Sequence, residues 1–128
     1  MNRTIKFRGL TTNGEWVFGL LARKDNDWYI SNSAGAPFAF QVRPETIGQF
    51  IELPDSYGKE IYEGDIAEYC EVDDHNHLLS NITLPILIEY NNAWAQFGWS
   101  DGGAWFELDH FRIKEVIGNI FENPELLK

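Results

Sequence analysis

The chain reads as a mainly β protein, and three features of its sequence predict that class. Short runs of bulky apolar and aromatic residues recur along it. Turn-forming dipeptides and prolines separate those runs at close intervals. Helix signals are confined to the last few residues. Short strands with frequent turns favour an antiparallel barrel or sandwich. With 128 residues, 44% of them hydrophobic and 23% charged, the chain is sized for one domain over residues 1–128 with a real core.

The first strand is expected at residues 4–9, closed by Thr11-Thr12-Asn13-Gly14, because Asn-Gly tolerates positive φ at both positions. Residues 16–22 form a continuous apolar run, read as a strand buried on both faces. Lys24-Asp25-Asn26-Asp27 turns the chain into Trp28-Tyr29-Ile30. A loop at 31–37 precedes a strand at 38–42, which Pro44-Glu45-Thr46 breaks. Residues 47–53 make the next strand, stopped by Pro54-Asp55-Ser56-Tyr57-Gly58. A strand at 65–72 leads into the acidic segment 73–80, read as a disordered loop.

In residues 82–99, a two-residue turn at Asn91-Asn92 sets Tyr90 opposite Ala93, Ile88 opposite Ala95, Ile86 opposite Phe97 and Leu84 opposite Trp99. All eight side chains then share one face. Pro85 cannot donate to a ladder and argues for an edge or a bulge. Asp101-Gly102-Gly103 turns the chain into residues 104–108, and 113–121 form the last strand. Asn123 is placed to cap a short C-terminal helical turn, with Pro124 first and Glu125 near its positive end.

Charge is uneven. Residues 1–43 hold six Lys/Arg against three Asp/Glu, whereas residues 44–128 hold four against seventeen, within a total of −10. A field of that sign repels phosphate, so most of this surface is a poor nucleic-acid platform. A solvated acidic face, pairing of basic with acidic parts, and mimicry of a DNA phosphate surface are the three readings of it. No apolar run approaches the roughly 20 residues of a membrane span. Residues 1–6 lack the apolar stretch of a signal peptide. A single cysteine, Cys70, cannot close an internal disulfide. A reducing cytoplasm is the expected setting.

Catalytic signals are weak. Gly98-Trp99-Ser100-Asp101-Gly102 has the spacing of a nucleophile elbow, but the chain leaves it through Gly102-Gly103 into an aromatic strand, so a hairpin turn is expected. Asp73-Asp74-His75-Asn76-His77 packs possible ligands into one loop, and His110 follows Asp109. Metal ligands usually converge from separated, rigid elements, so no metal and no cofactor is assigned. Cys70 has no basic activator beside it and reads as an apolar filler. Lys6-Phe7-Arg8 and Arg23-Lys24 near Trp28-Tyr29 combine rings with positive charge, the pairing that holds single strands on β-barrels; these rings fit core strands equally well.

Gly58-Lys59-Glu60-Ile61-Tyr62-Glu63-Gly64-Asp65-Ile66 is more informative. Its glycines permit positive φ, Ile61 and Tyr62 can pin it to the core, and Asp65 can bond local amides. It is either a specially shaped turn or an exposed recognition loop made by Lys59, Glu60, Tyr62 and Glu63.

The same segment resembles the central motif of the YopX family, small proteins carried by bacteriophages and prophages. The likeness extends to Ile5-Lys6-Phe7-Arg8-Gly9, to Gly14-Glu15-Trp16-Val17-Phe18-Gly19 and to Val42-Arg43-Pro44-Glu45-Thr46-Ile47-Gly48-Gln49-Phe50. Glu115-Val116-Ile117-Gly118-Asn119-Ile120-Phe121-Glu122-Asn123-Pro124-Glu125 resembles the closing signature. Residues 67–112 carry none of these motifs. The resemblance implies a mostly-β, barrel-like fold and a phage or prophage origin. It implies no reaction, so no catalytic residue is carried over.

The expected function is a non-enzymatic accessory domain in the bacterial host cytoplasm. Its expected partner is a protein of phage or host origin, or a second copy of the chain in a homo-oligomer, with no membrane partner. Two alternatives stay open: a nucleic-acid-associated protein or acidic DNA mimic, and a hydrolytic or metal-dependent enzyme using His75, His77 or His110.

Overall fold

Polar and glycine-bearing turns reverse the chain at short intervals, and the segments between them pair antiparallel. The structure, a computed structural model, describes residues 5–31 and 39–128. The loop expected at 31–37 lies almost wholly outside the described residues. The chain divides into two compact units, Met1–Glu52 and Leu53–Lys128.

The first unit holds β1 (Phe7–Leu10), β2 (Trp16–Lys24), β3 (Asp27–Ser31), β4 (Ala39–Val42) and the larger part of β5 (Gly48–Pro54). Their order is β4-β3-β2-β1-β5. The β1–β2 connection falls on the expected turn Thr11-Thr12-Asn13-Gly14, where Gly14 N donates to Thr11 O at 3.0 Å. Thr11 N donates to Glu15 O at 2.9 Å, and Gly14 alone takes positive φ, at 85°. β2 is not buried on both faces: Phe18 and Leu20 are exposed. Alternate side chains of this strand project from a sheet face left open to solvent. Ile30, Val42, Leu10 and Ile51 form the buried set. Buried Thr46 ends a 3-10 turn at Pro44–Thr46, where its hydroxyl accepts from Leu10 N at 2.9 Å and donates to Arg43 O at 2.7 Å.

The second unit adds β6 (Glu60–Tyr62), β7 (Asp65–Val72), β8 (Leu78–Leu87), β9 (Glu89–Asn91), β10 (Gln96–Asp101), β11 (Ala104–Glu107) and β12 (Ile113–Asn119). Two three-stranded antiparallel sheets run in the orders β12-β7-β8 and β11-β10-β9. β7, the central strand, is buried on both faces by Ile66, Ala67, Tyr69 and Cys70. Tyr69 meets Trp99 of β10 edge to face, with ring centroids 5.4 Å apart, a favoured aromatic geometry. Pro85 lies in β8, an edge strand of its sheet, as its missing N–H demands. Among the described residues the strand orders close no ring. No helix among them is long and apolar enough to cross a membrane.

Three further expectations change, all in the second unit. Residues 73–77 are a tight turn rather than a disordered loop: Asp73 Oδ1 accepts from His75 N at 2.9 Å and His77 N at 2.8 Å. β8 therefore begins at Leu78. The aromatic hairpin pairs Tyr90 with Phe97, not Ala93. Asn91 Oδ1 accepts from Ala93 N and Trp94 N, and Ala95 is left-handed at φ 52°, so four residues rather than two make the turn. Leu84 and Ile86 pair with β7 instead, opposite Tyr69 and Ala67. At the C-terminus the expected helical turn is present as a 3-10 turn at Pro124–Leu127, but Asn123 does not cap it. Its Oδ1 accepts from Asn119 N at 3.3 Å instead.

Candidate functional site

The segment from Pro54 to Asp65 is shaped by two aspartates that spend their oxygens on backbone amides. Asp55, 5% exposed, accepts through Oδ1 from Tyr57 N and Lys59 N, each at 2.9 Å. Its Oδ2 accepts from Val116 N, also at 2.9 Å. Bulges in β12 leave Lys114 and Ile117 without partners in the β7 register, so one edge of that strand can receive the loop. Ser56 completes the dock, donating to Lys114 O through both its N–H, at 3.1 Å, and its hydroxyl.

Burial raises the Asp55 carboxyl pKa, but the three amide donors at Val116, Lys59 and Tyr57, with the Lys59 charge, outweigh it. The group is held below its ordinary value. A carboxylate so stabilised and so fully bonded is a clamp and a poor general base.

Gly58 and Gly64 take φ of 85° and 95°, which L side chains rarely adopt. Between them β6 is short. Asp65, itself buried, accepts from Tyr62 N through Oδ2 at 2.8 Å. Gly64 N donates to Ile88 O and Ile88 N to Asp65 O, at 2.8 and 2.9 Å, which joins the tight turn to the β8–β9 junction.

Of the four expected recognition residues, Lys59 and Glu60 are exposed and Glu63 is half-buried. Tyr62 is different: it is 2% exposed and belongs to the core. Adjacent Ile61 and Tyr62 are both buried, which the ordinary alternation of a strand does not produce. The Tyr62 hydroxyl donates to Glu60 Oε1 at 3.0 Å, so the buried ring orients an exposed carboxylate. Sequence reasoning missed Asp55 and Ser56; the Pro-Asp-x-x-Gly pattern was their available signal. Beside them, Pro54, Asp55, Ser56, His110, Phe111 and Ile113 line a shallow groove of about 250 Å³. Phe111 and Tyr57 are 85% and 71% exposed.

The other candidates fall apart in space or find structural roles. Ser100 lies within β10, donates to Glu89 Oε2 at 3.1 Å, and is followed by a Gly102-Gly103 hairpin. His75 and His77 are exposed, and His77 Nδ1 lies 3.5 Å from Asp73 Oδ2. Among the described residues no group of three or more ligating side chains is placed to hold a metal. Cys70 is buried and unbridged. Among the basic residues of the first unit, Arg8 lies over Trp16 at 4.7 Å and Arg23 over Trp28 at 5.4 Å. The acidic excess falls in the second unit, where fifteen Asp/Glu face four Lys/Arg, a net of −11.

An antiparallel β frame carrying a glycine-bounded, aspartate-clamped loop is the class of protein that this geometry defines. The chain belongs to the YopX protein family, whose family model matches residues 11–128. That match takes in residues 67–112, where no motif was legible. Among solved structures the chain is similar to protein EF1440 from Enterococcus faecalis, at 24% identity and a TM-score of 0.58, covering 99% of this chain and 100% of that one. That likeness concerns the fold. No curated protein matches the chain.

Proposed function

We propose that this chain is a phage- or prophage-derived, barrel-like binding module that acts in the bacterial host cytoplasm without catalysing a reaction. Its partner on this reading is a protein of phage or host origin, with self-association as one form of that binding. The observation that carries the reading is the exposure of Lys59 and Glu60 on a loop whose own aspartates hold it rigid. A rigid loop binds with little ordering entropy to lose. The exposed rings of Tyr57 and Phe111 add apolar contact area to the charged tip, a mixture suited to a protein interface.

The test is cross-linking of tagged full-length chain in phage-infected cells, compared with a Lys59→Ala/Glu60→Ala/Glu63→Ala variant of matched melting temperature. Loss of the wild-type adduct in the variant supports the reading; identical adducts contradict it. The net of −11 in the second unit favours a second reading, mimicry of DNA. Displacement of the captured protein by duplex DNA would select mimicry over a loop-specific interface.

A further inference from the structure

We propose that the face of the β11-β10-β9 sheet bearing Trp105 binds an arginine side chain of a basic partner polypeptide, stacked on that indole between Glu89 and Glu107. This names the partner chemistry for the binding-module reading and rests on it. Gly98 of the central strand pairs with Glu107 on one side and Glu89 on the other. The three therefore form one row across the sheet, with the two glutamates separated by two strand spacings, about 10 Å. Side chains along such a row project to the same face.

The gap above Gly98 is filled by the ring of Trp105. A Cβ there would stand 2.6 Å from Trp105 Cζ2 and 2.2 Å from Phe106 O, so no other residue fits beneath the indole. The ring is also held in orientation. Trp105 Nε1 donates to Gln96 Oε1 at 2.5 Å, and Gln96 Nε2 donates to Glu107 Oε1 at 3.1 Å. On the opposite side Ser100 Oγ donates to Glu89 Oε2 at 3.1 Å. Each carboxylate is fixed through one oxygen and keeps the second for an incoming donor. Trp105 and Glu89 are half-buried, and Ser100 and Glu107 are exposed.

An indole face flanked by two carboxylates selects a cation. A planar guanidinium can lie on the ring and donate toward both sides, which a compact ammonium cannot reproduce. The chain already uses this geometry internally, with Arg112 4.4 Å from the Tyr69 centroid and Arg23 5.4 Å from that of Trp28. Among the described residues no cation occupies Trp105. Charge complementarity decides the occupant, because a unit of net −11 draws in a basic segment and repels the acidic unit of a second copy.

The probe is the peptide acetyl-Gly-Arg-Gly-Arg-Gly-amide, with its lysine analogue, titrated into the 15N-labelled full-length chain. Binding should be saturable, with the largest shifts at the Trp105 indole N–H and the Gly98 and Ser100 amides. The arginine peptide should bind roughly threefold or more tightly than the lysine peptide. Glu89→Gln/Glu107→Gln keeps an amide oxygen for Ser100 and for Gln96, and should weaken binding about tenfold without unfolding the chain. Trp105→Leu should erase the preference for arginine. Shifts spread evenly over the acidic surface, or unchanged affinity in the double glutamine variant, overturn the proposal. The Lys59→Ala/Glu60→Ala/Glu63→Ala variant should bind the peptide normally, so failure at this sheet is separable from failure of the loop reading.

Discussion

Replacing Asp55 by alanine removes the acceptor for three backbone amides at once, those of Tyr57, Lys59 and Val116. Hydrogen bonds to a charged acceptor contribute about 1.5–3 kcal/mol each, and burial makes an unmet amide costly. The three bonds share one loop, so their losses do not add in full. We expect Asp55→Ala to cost about 3–5 kcal/mol, a large part of the roughly 5–15 kcal/mol that holds a domain folded. For an m-value of about 2 kcal/mol/M, the urea midpoint falls by about 2 M. Asp55→Asn should lie between alanine and wild type, because its amide oxygen can serve one side while its NH2 faces the donor at the other.

The pH dependence has a definite sign. Amide donors and Lys59 hold the folded-state pKa of Asp55 below its ordinary value. Its contribution is therefore present above the unfolded-state pKa, about 3.9, and is lost as pH falls through the folded-state value. Wild-type stability should decline below about pH 4 more steeply than that of Asp55→Asn. Urea unfolding followed by circular dichroism at pH 7, 5, 4 and 3 measures both effects. A midpoint shift under about 0.3 M for Asp55→Ala, or parallel pH profiles, would refute the clamp.

Asp65→Ala removes the acceptor of Tyr62 N from a buried site and should cost at least about 1.5 kcal/mol by urea unfolding. A Cβ on Gly118 would lie 2.6 Å from Asn123 Oδ1 and 2.9 Å from Leu126 Cδ1. Gly118→Ala should therefore lose about 1–3 kcal/mol and expose the C-terminal turn to carboxypeptidase. Buried Cys70 should resist a thiol reagent in the native chain and react at once in urea, while Cys70→Ala keeps the fold at a cost of about 1 kcal/mol.

The strand pattern was legible where local chemistry settles it. β7 matches the expected residues 65–72 because a glycine turn precedes a dense apolar run and a polar turn follows it. Edge placement of Pro85 followed from its missing donor. The hairpin register was not legible, because the turn depends on the Asn91 side chain bonding forward and on Ala95 adopting a left-handed conformation. Asn91-Asn92 as a dipeptide encodes neither. The apolar length of β2 spoke for burial, yet Phe18 and Leu20 face solvent, since a run of hydrophobic residues does not say whether a second layer covers it.

The candidate loop was found by its glycines and acidic residues, and its clamp was missed for a non-local reason. Asp55 reaches Val116, 61 positions away, at a strand whose bulges leave no trace in composition. Tyr62 and Ile61 pin the segment to the core, one of the two expected readings, so the ring of Tyr62 lies inside although its neighbours are charged.

Amide hydrogen exchange at Tyr57, Lys59, Tyr62 and Val116 tests the carboxylate-clamped loop most directly. Protection approaching that of β7 at all four positions is the predicted result, with collapse at Tyr57, Lys59 and Val116 in Asp55→Ala. Exchange at the rate of an unstructured loop in the wild-type chain would contradict it.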